Sequence, residues 1–134
     1  QGMKEASMRI GKDLVAASAT PLVLGILAEG ATYGYAILKR VESVSAGAWE
    51  CTDGMLYPLL HRLERLGHVE ATWQTSAEGR RRKLYAITPA GRAALAEQRR
   101  QWEVVTDALR AVDGRNRAEF STPWALVLTS ATGV

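Results

Sequence analysis

The sequence has few of the residues that stabilise secreted or membrane-spanning proteins. Its 134 residues contain one cysteine, Cys51, which excludes an intrachain disulfide and favours a reducing compartment. The longest apolar runs, Pro21 to Ala28 and Trp124 to Leu128, are too short to cross a bilayer. No charged segment followed by an apolar one opens the chain, so we expect no secretion signal and a cytoplasmic protein.

Residues that bind metals or perform catalysis are equally scarce. Cys51, His61 and His68 form no pair at the i, i+4 spacing of a helical zinc site, so we expect no metal. No serine or cysteine lies in a nucleophile elbow, and the glycines do not form a phosphate-binding loop. The sequence therefore predicts that the protein is not an enzyme and that it needs no cofactor.

A leucine-rich segment from Gly54 to Gly67 is the most informative part of the chain. Its leucines recur at helical spacing and predict one buried face, comprising Leu56, Leu59, Leu60, Leu63 and Leu66. The opposite face carries Tyr57, His61, Arg62 and Arg65. Thr52 is the expected N-cap, Gly67 the expected end, and Pro58 predicts a late or irregular start of this helix.

A basic hairpin is predicted directly after this helix. Residues 69–74 and 82–87 alternate in polarity as two strands, and residues 75–79 form a polar turn. The first strand is expected to be half-buried, with Val69, Ala71 and Trp73 on its apolar side. Four consecutive cations lie near the turn, namely Arg80, Arg81, Arg82 and Lys83. The net charge of +3 says little by itself, but this clustering, beside a helix with a polar and basic outer face, suits duplex DNA. A solvated turn is the alternative.

Helices are also predicted on both sides of this region. Upstream we expect a short helix over 10–18, a second helix that starts at Thr20-Pro21 and runs over 22–29, and a third over 33–43 capped by Thr32. Val44 is expected to face the core with Ile37 and Val41. Thr88-Pro89 predicts the start of the longest helix, which runs to about residue 112.

The last helix carries a heptad-like seam that indicates pairing with another helix. Its members alternate at spacings of three and four residues: Leu95, Gln98, Trp102, Val105, Leu109 and Val112. A dimer contact is our interpretation, and packing within the same domain is the alternative. The predicted organisation is a DNA-binding domain over 10–88, a dimerisation helix over 89–113, and a tail over 114–134 that is helical, disordered or docked on the partner.

The residues at the joints between these elements resemble those of the PadR-like transcriptional regulators. The matching pieces are residues 33–37 (YGYAI), 54–58 (GMLYP), 62–64 (RLE), 79–85 (GRRRKLY) and 87–91 (ITPAG). The resemblance implies a mainly α, winged helix-turn-helix fold of the short subfamily, with one long carboxy-terminal helix. It also implies a homodimeric repressor that releases a promoter palindrome when a small molecule, such as a planar aromatic compound, binds.

Two sets of site residues follow from this reading. The expected DNA contacts are Tyr33, Lys39, Thr52, Met55, Tyr57, His61, Arg62, Arg80, Arg81, Arg82 and Lys83. The expected effector pocket lies between subunits, where two Trp102 rings sandwich a planar ligand, and its residues are Leu14, Val15, Ala17, Gln98, Trp102 and Val105. Met55 as a core residue and Trp102 as a packing residue are the alternatives.

Two other functions fit the same sequence less well. A winged helix can serve only as a protein-interaction module, although such modules usually lack a cationic hairpin. A small-molecule sensor with little affinity for DNA is the other alternative, and it predicts tryptophan quenching by flat aromatic compounds without any change in DNA binding.

Overall fold

Four helices and three strands make up residues 8–114, the part of the chain that the computed structural model describes. In chain order they are α1 (Lys12–Glu29), β1 (Thr32–Tyr33), α2 (Gly34–Ser45), α3 (Asp53–Arg65), β2 (Val69–Thr75), β3 (Arg81–Ile87) and α4 (Pro89–Val112). This mainly helical arrangement with a small antiparallel sheet confirms the predicted fold class. The chain divides into two compact units, residues 1–97 and 98–134, and the predicted tail lies outside the described residues from 115 onwards.

The core of the first unit is built from the apolar faces of α1, α2 and α3. Its most deeply buried side chains are Val23, Leu24, Leu27, Ile37, Val41, Leu56, Leu60 and Leu63. Trp49, in the connection between α2 and α3, is also buried, and its indole N–H donates to Ser18 Oγ at 2.7 Å. Tyr85 of β3 and Leu95 of α4 belong to the same buried cluster.

Helix α1 is continuous, so the prediction of two helices separated at Thr20-Pro21 is wrong. Pro21 lies inside the helix. An interior proline costs about 3 kcal/mol, but each fully buried leucine or valine contributes about 1.5–3 kcal/mol. The buried residues on both sides of Pro21, among them Val15, Val23 and Leu27, therefore outweigh the proline.

Helix α2 begins one residue later than predicted because the residues before it form a strand. Thr32 and Tyr33 pair with β3, opposite Tyr85 and Leu84 respectively, so Thr32 is not the helix cap. Val44 is 47% exposed, contrary to prediction. The buried face of α2 ends at Val41, one turn before the helix itself ends.

Helix α3 begins at Asp53, directly after the predicted N-cap Thr52. The cap acts through its backbone, since the Thr52 carbonyl accepts the Met55 and Leu56 N–H groups at 3.1 and 2.9 Å and its side chain forms no cap bond. Pro58 lies within the helix without delaying its start, so that prediction is wrong. Four of the five leucines are buried as predicted, but Leu66 follows the last turn and is 58% exposed.

The three strands form an antiparallel sheet in the order β1-β3-β2. In the hairpin Trp73 lies opposite Lys83 and Gln74 opposite Arg82. The turn closes where Ser76 N–H donates to the Arg80 carbonyl at 2.8 Å, and Gly79 adopts the positive φ of 85° that the turn requires. Trp73, predicted on the buried side with Val69, is 54% exposed because the hairpin extends past the core at its turn end.

Helix α4 starts at Pro89 as predicted, with Thr88 as its cap. Thr88 Oγ1 accepts the Gly91 N–H at 3.0 Å and donates to the Gly67 carbonyl at 2.6 Å, which ties the end of α3 to the start of α4. Gly91 lies directly against the His68 carbonyl, where a Cβ atom would collide with backbone. The hairpin is therefore held at its base by contacts that a glycine makes possible.

Candidate nucleic-acid interface

The outward face of α3 is polar and accessible. With the leucines turned into the core, the exposed residues Pro58, His61, Arg62 and Arg65 recur at i, i+3, i+4 and i+7, and Tyr57 is exposed beside them. The same amphipathic pattern that buries one face thus determines which residues point away from it. Arg62 and Arg65 also lie in the last turn, where cations interact favourably with the helix dipole.

A concave surface of about 660 Å³ lies between the start of α2, the side of α3 and the sheet. We call it the cationic groove. It is lined by Tyr33, Gly34, Tyr35, Ala36, Tyr57, His61, Trp73, Arg80, Arg82, Lys83 and Tyr85. Six of the eleven predicted DNA-contact residues therefore meet on one surface, although they come from three separate elements and from the turn of the hairpin.

The groove depends on a glycine at its floor. Gly34 is buried at the first position of α2, and the Tyr57 ring and hydroxyl occupy the space that a Cβ atom at residue 34 would need. Tyr57 therefore crosses from α3 to the start of α2. This contact closes one wall of the groove and explains why residue 34 is a glycine.

The other predicted DNA-contact residues lie elsewhere on the first unit. Thr52, Met55 and Arg62 line a second, mostly apolar groove with residues of α1 and α3. Lys39 lies at a third concavity, with its ammonium 5.5 Å from the centre of the Tyr35 ring. Met55 is half-buried and packs against the core, which fits its alternative role as a core residue.

The cations of the hairpin stack on aromatic rings, and they do so on alternate faces of the sheet. The Arg82 guanidinium lies 4.1 Å from the centre of the Tyr33 ring, and that of Arg81 lies 4.4 Å from the centre of the Trp73 ring. Neighbouring strand residues point in opposite directions. The four cations therefore cannot all face the same side of the sheet.

The charges of the hairpin are only partly balanced within the protein. Lys83 lies 3.5 Å from Glu64 Oε1 and is mostly covered. Within residues 8–114, no carboxylate forms an ion pair with Arg80, Arg81 or Arg82. Three exposed guanidinium groups are therefore available to an external anion, at the tip of a rigid hairpin.

The pKa values that depart from their ordinary range do not indicate catalysis. Burial, with smaller contributions from Tyr57 and Glu64, raises the pKa of Tyr85 further above neutrality. Burial and then Asp53 raise the pKa of the Cys51 thiol, which keeps it protonated. The described residues contain no cluster of metal-ligating side chains, and none of their helices combines the length and apolarity needed to traverse a membrane.

Three aromatic residues of the groove were missed by the sequence prediction, namely Tyr35, Trp73 and the buried Tyr85. Tyr35 is largely exposed at the start of α2, and Trp73 stacks with Arg81 across the hairpin. Trp73 was assigned to the buried side of its strand on polarity alone. A paired register that placed an exposed tryptophan beside arginines could have identified it.

The predicted effector residues are spread over both units. In the first unit Val15 is buried, whereas Leu14 and Ala17 are exposed, so the three do not share one environment. In the second unit Gln98 and Trp102 are half-buried and Val105 is exposed. The pocket between subunits stays a prediction.

Three helices followed by a hairpin, with the third helix presenting a polar face beside that hairpin, define a winged helix-turn-helix protein. The profile of the transcriptional regulator PadR-like family matches residues 23–97. The chain therefore belongs to the PadR-like family. Members of this family are transcriptional regulators rather than enzymes, which confirms the predicted family and the prediction that the protein is not an enzyme.

Individual relatives agree with this assignment. Transcriptional regulator Rv3488 of Mycobacterium tuberculosis is 45% identical over 62 residues, which cover 46% of this chain and 57% of that protein. A PadR family transcriptional regulator from Eggerthella lenta has a similar structure, with a TM-score of 0.65 and 32% identity over 75% of this chain and 85% of that one. A transcriptional regulator from Clostridium thermocellum aligns with a TM-score of 0.69 and 25% identity over 75% and 97% of the two chains.

Proposed function

We propose that this PadR-like regulator is a homodimeric repressor that binds a palindromic promoter site and releases it when a small molecule binds. In this proposal α3 enters the major groove and the hairpin contacts the phosphate backbone. The observation that carries it is the cationic groove, which joins the outer face of α3 to arginines that have no carboxylate partner among residues 8–114. A cytoplasmic location follows from that role.

The two parts of the surface have different tasks in this proposal. Arg80 and Arg82, which line the groove, neutralise phosphates, which contributes affinity for any duplex and makes binding dependent on salt. Arg62 and His61, on the exposed face of α3, are suited to the acceptor edges of guanine in the major groove. Sequence specificity therefore depends on α3, and affinity depends mainly on the hairpin.

Dimerisation through α4 is supported by the residues that this helix leaves uncovered. Val105, Leu109 and Val112 recur at seam positions and are 48%, 67% and 86% exposed. A stripe of this kind is stabilised when a second helix covers it. A helix of 24 residues spans roughly 36 Å, which is comparable with the separation of about 34 Å between two half-sites on DNA.

Ligand response is the least direct part of the proposal and depends on Trp102. This half-buried residue is a member of the same seam, so a dimer about α4 brings two copies of it towards the two-fold axis. Paired indole rings can sandwich a planar aromatic compound. The expected readout is quenching of the Trp102 fluorescence, lost in Trp102→Leu, together with release of DNA.

Fluorescence anisotropy with a labelled duplex tests the proposal. Each arginine removed from a phosphate contact should cost about 1.5–3 kcal/mol, so R80E/R82E should bind at least roughly a hundredfold more weakly to any duplex. The matched control is R92E, which changes an exposed arginine of α4 outside the groove. Equal losses for R80E/R82E and R92E would refute the assignment of the groove.

A second measurement separates DNA readers from the rival functions. Arg62→Ala should relax the preference at one base position in a set of duplexes taken from the inverted repeat beside the gene, while leaving non-specific binding unchanged. A wild-type protein that fails to shift any duplex at low salt would instead favour an interaction module or a sensor. Quenching by aromatic compounds without effect on DNA binding would favour the sensor.

A further inference from the structure

We infer that Tyr33 and Gln74 form a clamp over β3 that positions Arg82, so that Tyr33 acts on DNA binding through Arg82 rather than by touching DNA. This inference rests on the proposed function, because it assigns Arg82 to the DNA contact. The Tyr33 hydroxyl donates to Gln74 Oε1 at 2.7 Å, and the Arg82 guanidinium lies 4.1 Å from the centre of the Tyr33 ring.

The sheet register explains why these three side chains meet. Tyr33 of β1 lies opposite Leu84 of β3, and Arg82 comes two residues before Leu84 on the same face of the sheet. Gln74 of β2 lies directly opposite Arg82. The Tyr33 side chain therefore runs diagonally over the central strand, and its hydroxyl reaches the strand on the far side.

The clamp gives Arg82 a defined position without neutralising its charge. A carboxylate partner would hold the guanidinium but would also compete with phosphate, and no ion pair with Arg82 is present among the described residues. An aromatic face attracts the cation by about 0.5–1 kcal/mol at an exposed site and leaves its N–H groups available at the edge. An arginine that is already ordered in the free protein loses less conformational entropy when it binds DNA.

The contacts of Tyr33 also change its expected role. Tyr33 is one of the expected DNA contacts, but its hydroxyl already donates its proton to Gln74. The start of α2 and the hairpin are thereby joined through side chains as well as through the β1–β3 backbone pairing. A change at Tyr33 should consequently affect the hairpin tip and leave the outer face of α3 in place.

Three substitutions divide the clamp into its parts. Tyr33→Phe keeps the ring over Arg82 and removes the hydrogen bond, Gln74→Leu removes the same bond from the other side, and Tyr33→Leu removes the ring as well. The control is Tyr35→Leu, since Tyr35 lines the same groove and stacks with Lys39 rather than with Arg82. Each is also made in an Arg82→Ala background.

Duplex affinity and the NMR signals of the Arg82 side chain are the two readouts. We expect Y33F and Q74L to weaken binding roughly two- to tenfold, with no further loss when the two are combined, and Y33L to weaken it more than either. In the R82A background Y33L should cause almost no further loss of duplex affinity. Y35L should change the affinity by the same factor in both backgrounds. The ring-shifted signals of Arg82 should persist in Y33F and disappear in Y33L.

The outcomes separate this inference from the function on which it rests. If Y33L costs as much in R82A as in the wild type, Tyr33 does not act through Arg82 and the inference fails while DNA binding stands. Arg82 signals that are unshifted in the wild type would likewise overturn it. If the wild-type protein binds no duplex, the proposed function fails, and the role of the clamp in DNA binding fails with it.

Discussion

Helix α3 and the carboxy-terminal half of α4 have similar apolar periodicity but opposite burial. In α3 the leucine face is covered, and Leu56, Leu60 and Leu63 are at most 1% exposed. In α4 the seam residues beyond Leu95 are exposed or only half-buried, with Leu109 and Val112 among the most exposed apolar residues described. The comparison shows that periodicity identifies an apolar face but does not say which chain covers it.

The difference in burial between α3 and α4 determines how much each apolar face contributes to folding stability. The leucines of α3 already contribute to the stability of the first unit, since their surface is removed from water within one chain. The exposed seam residues of α4 contribute little within one chain, and in the proposed dimer they would contribute when the second copy covers them. Folding stability should consequently respond to substitutions of the α3 leucines, and dimer assembly should respond to substitutions in the seam of α4.

The largest effect is expected for a leucine of α3. Leu60→Ala removes a fully buried side chain and should lower the free energy of unfolding by about 2–5 kcal/mol. Leu109→Ala, on the exposed seam, should change it by about 0.5 kcal/mol or less at protein concentrations where the chain is monomeric. Urea unfolding of the two variants measures both values, and similar losses would contradict the distinction.

A smaller loss is expected where α4 begins. Gly91→Ala places a Cβ atom against the His68 backbone carbonyl, which cannot rotate away, and should cost about 1–3 kcal/mol. Gly54→Ala is the control, because its Cβ meets nothing closer than Thr52 Oγ1 at 3.9 Å. Gly54→Ala should stabilise the protein by about 0.4–1 kcal/mol, since alanine restricts the unfolded chain more than glycine does. A G91A protein that is as stable as G54A would refute the close contact at Gly91.

Assembly should respond to the seam of α4 and not to its other faces. Val105→Asp introduces a charge at a seam position, and we expect it to raise the dimer dissociation constant at least roughly tenfold, about 1.4 kcal/mol. Val104→Asp is matched in chemistry and adjacent in sequence, but it lies off the seam and should leave the constant within about twofold. Sedimentation equilibrium measures both, and equal effects would argue against α4 as the dimer contact.

The smallest effect concerns Cys51. Because burial and Asp53 raise its pKa, less thiolate is present near pH 7.5 than for a free cysteine, and alkylation by iodoacetamide should be slower. The rate should rise with pH towards the raised pKa, and Asp53→Asn should increase it modestly by removing the smaller cause. A rate equal to that of unfolded protein at the same pH would show that the thiol is not protected.

Much of the fold could be predicted because it depends on local rules. The leucine spacing of α3, the cap at Thr88 and the turn before Arg81 each follow from residues close together in sequence. The errors at Pro21 and Pro58 arose because a local cost of proline was outweighed by burial that only the folded chain provides. Leu66 and Trp73 continue the apolar periodicity of their segments, but they lie beyond the end of the core and are exposed.

The candidate site was harder to predict because it depends on distant contacts. Its residue types were recognisable, and six of the predicted DNA contacts share the cationic groove. The partner of Tyr33, however, is 41 residues away in sequence, and the stacking of Arg81 and Arg82 on opposite faces depends on the hairpin register. The pattern of a single sequence does not show which side chains, far apart along the chain, will contact each other in the fold.

The salt dependence of duplex binding tests the central claim most directly. If the hairpin arginines contact phosphates, the logarithm of the binding constant should fall linearly with the logarithm of salt concentration, with a slope of about −0.9 per phosphate contact. The R80A/R82A variant should reduce that slope by about 1.8, for two contacts at about 0.9 each. A wild-type slope near zero, or one that this variant leaves unchanged, would contradict the account.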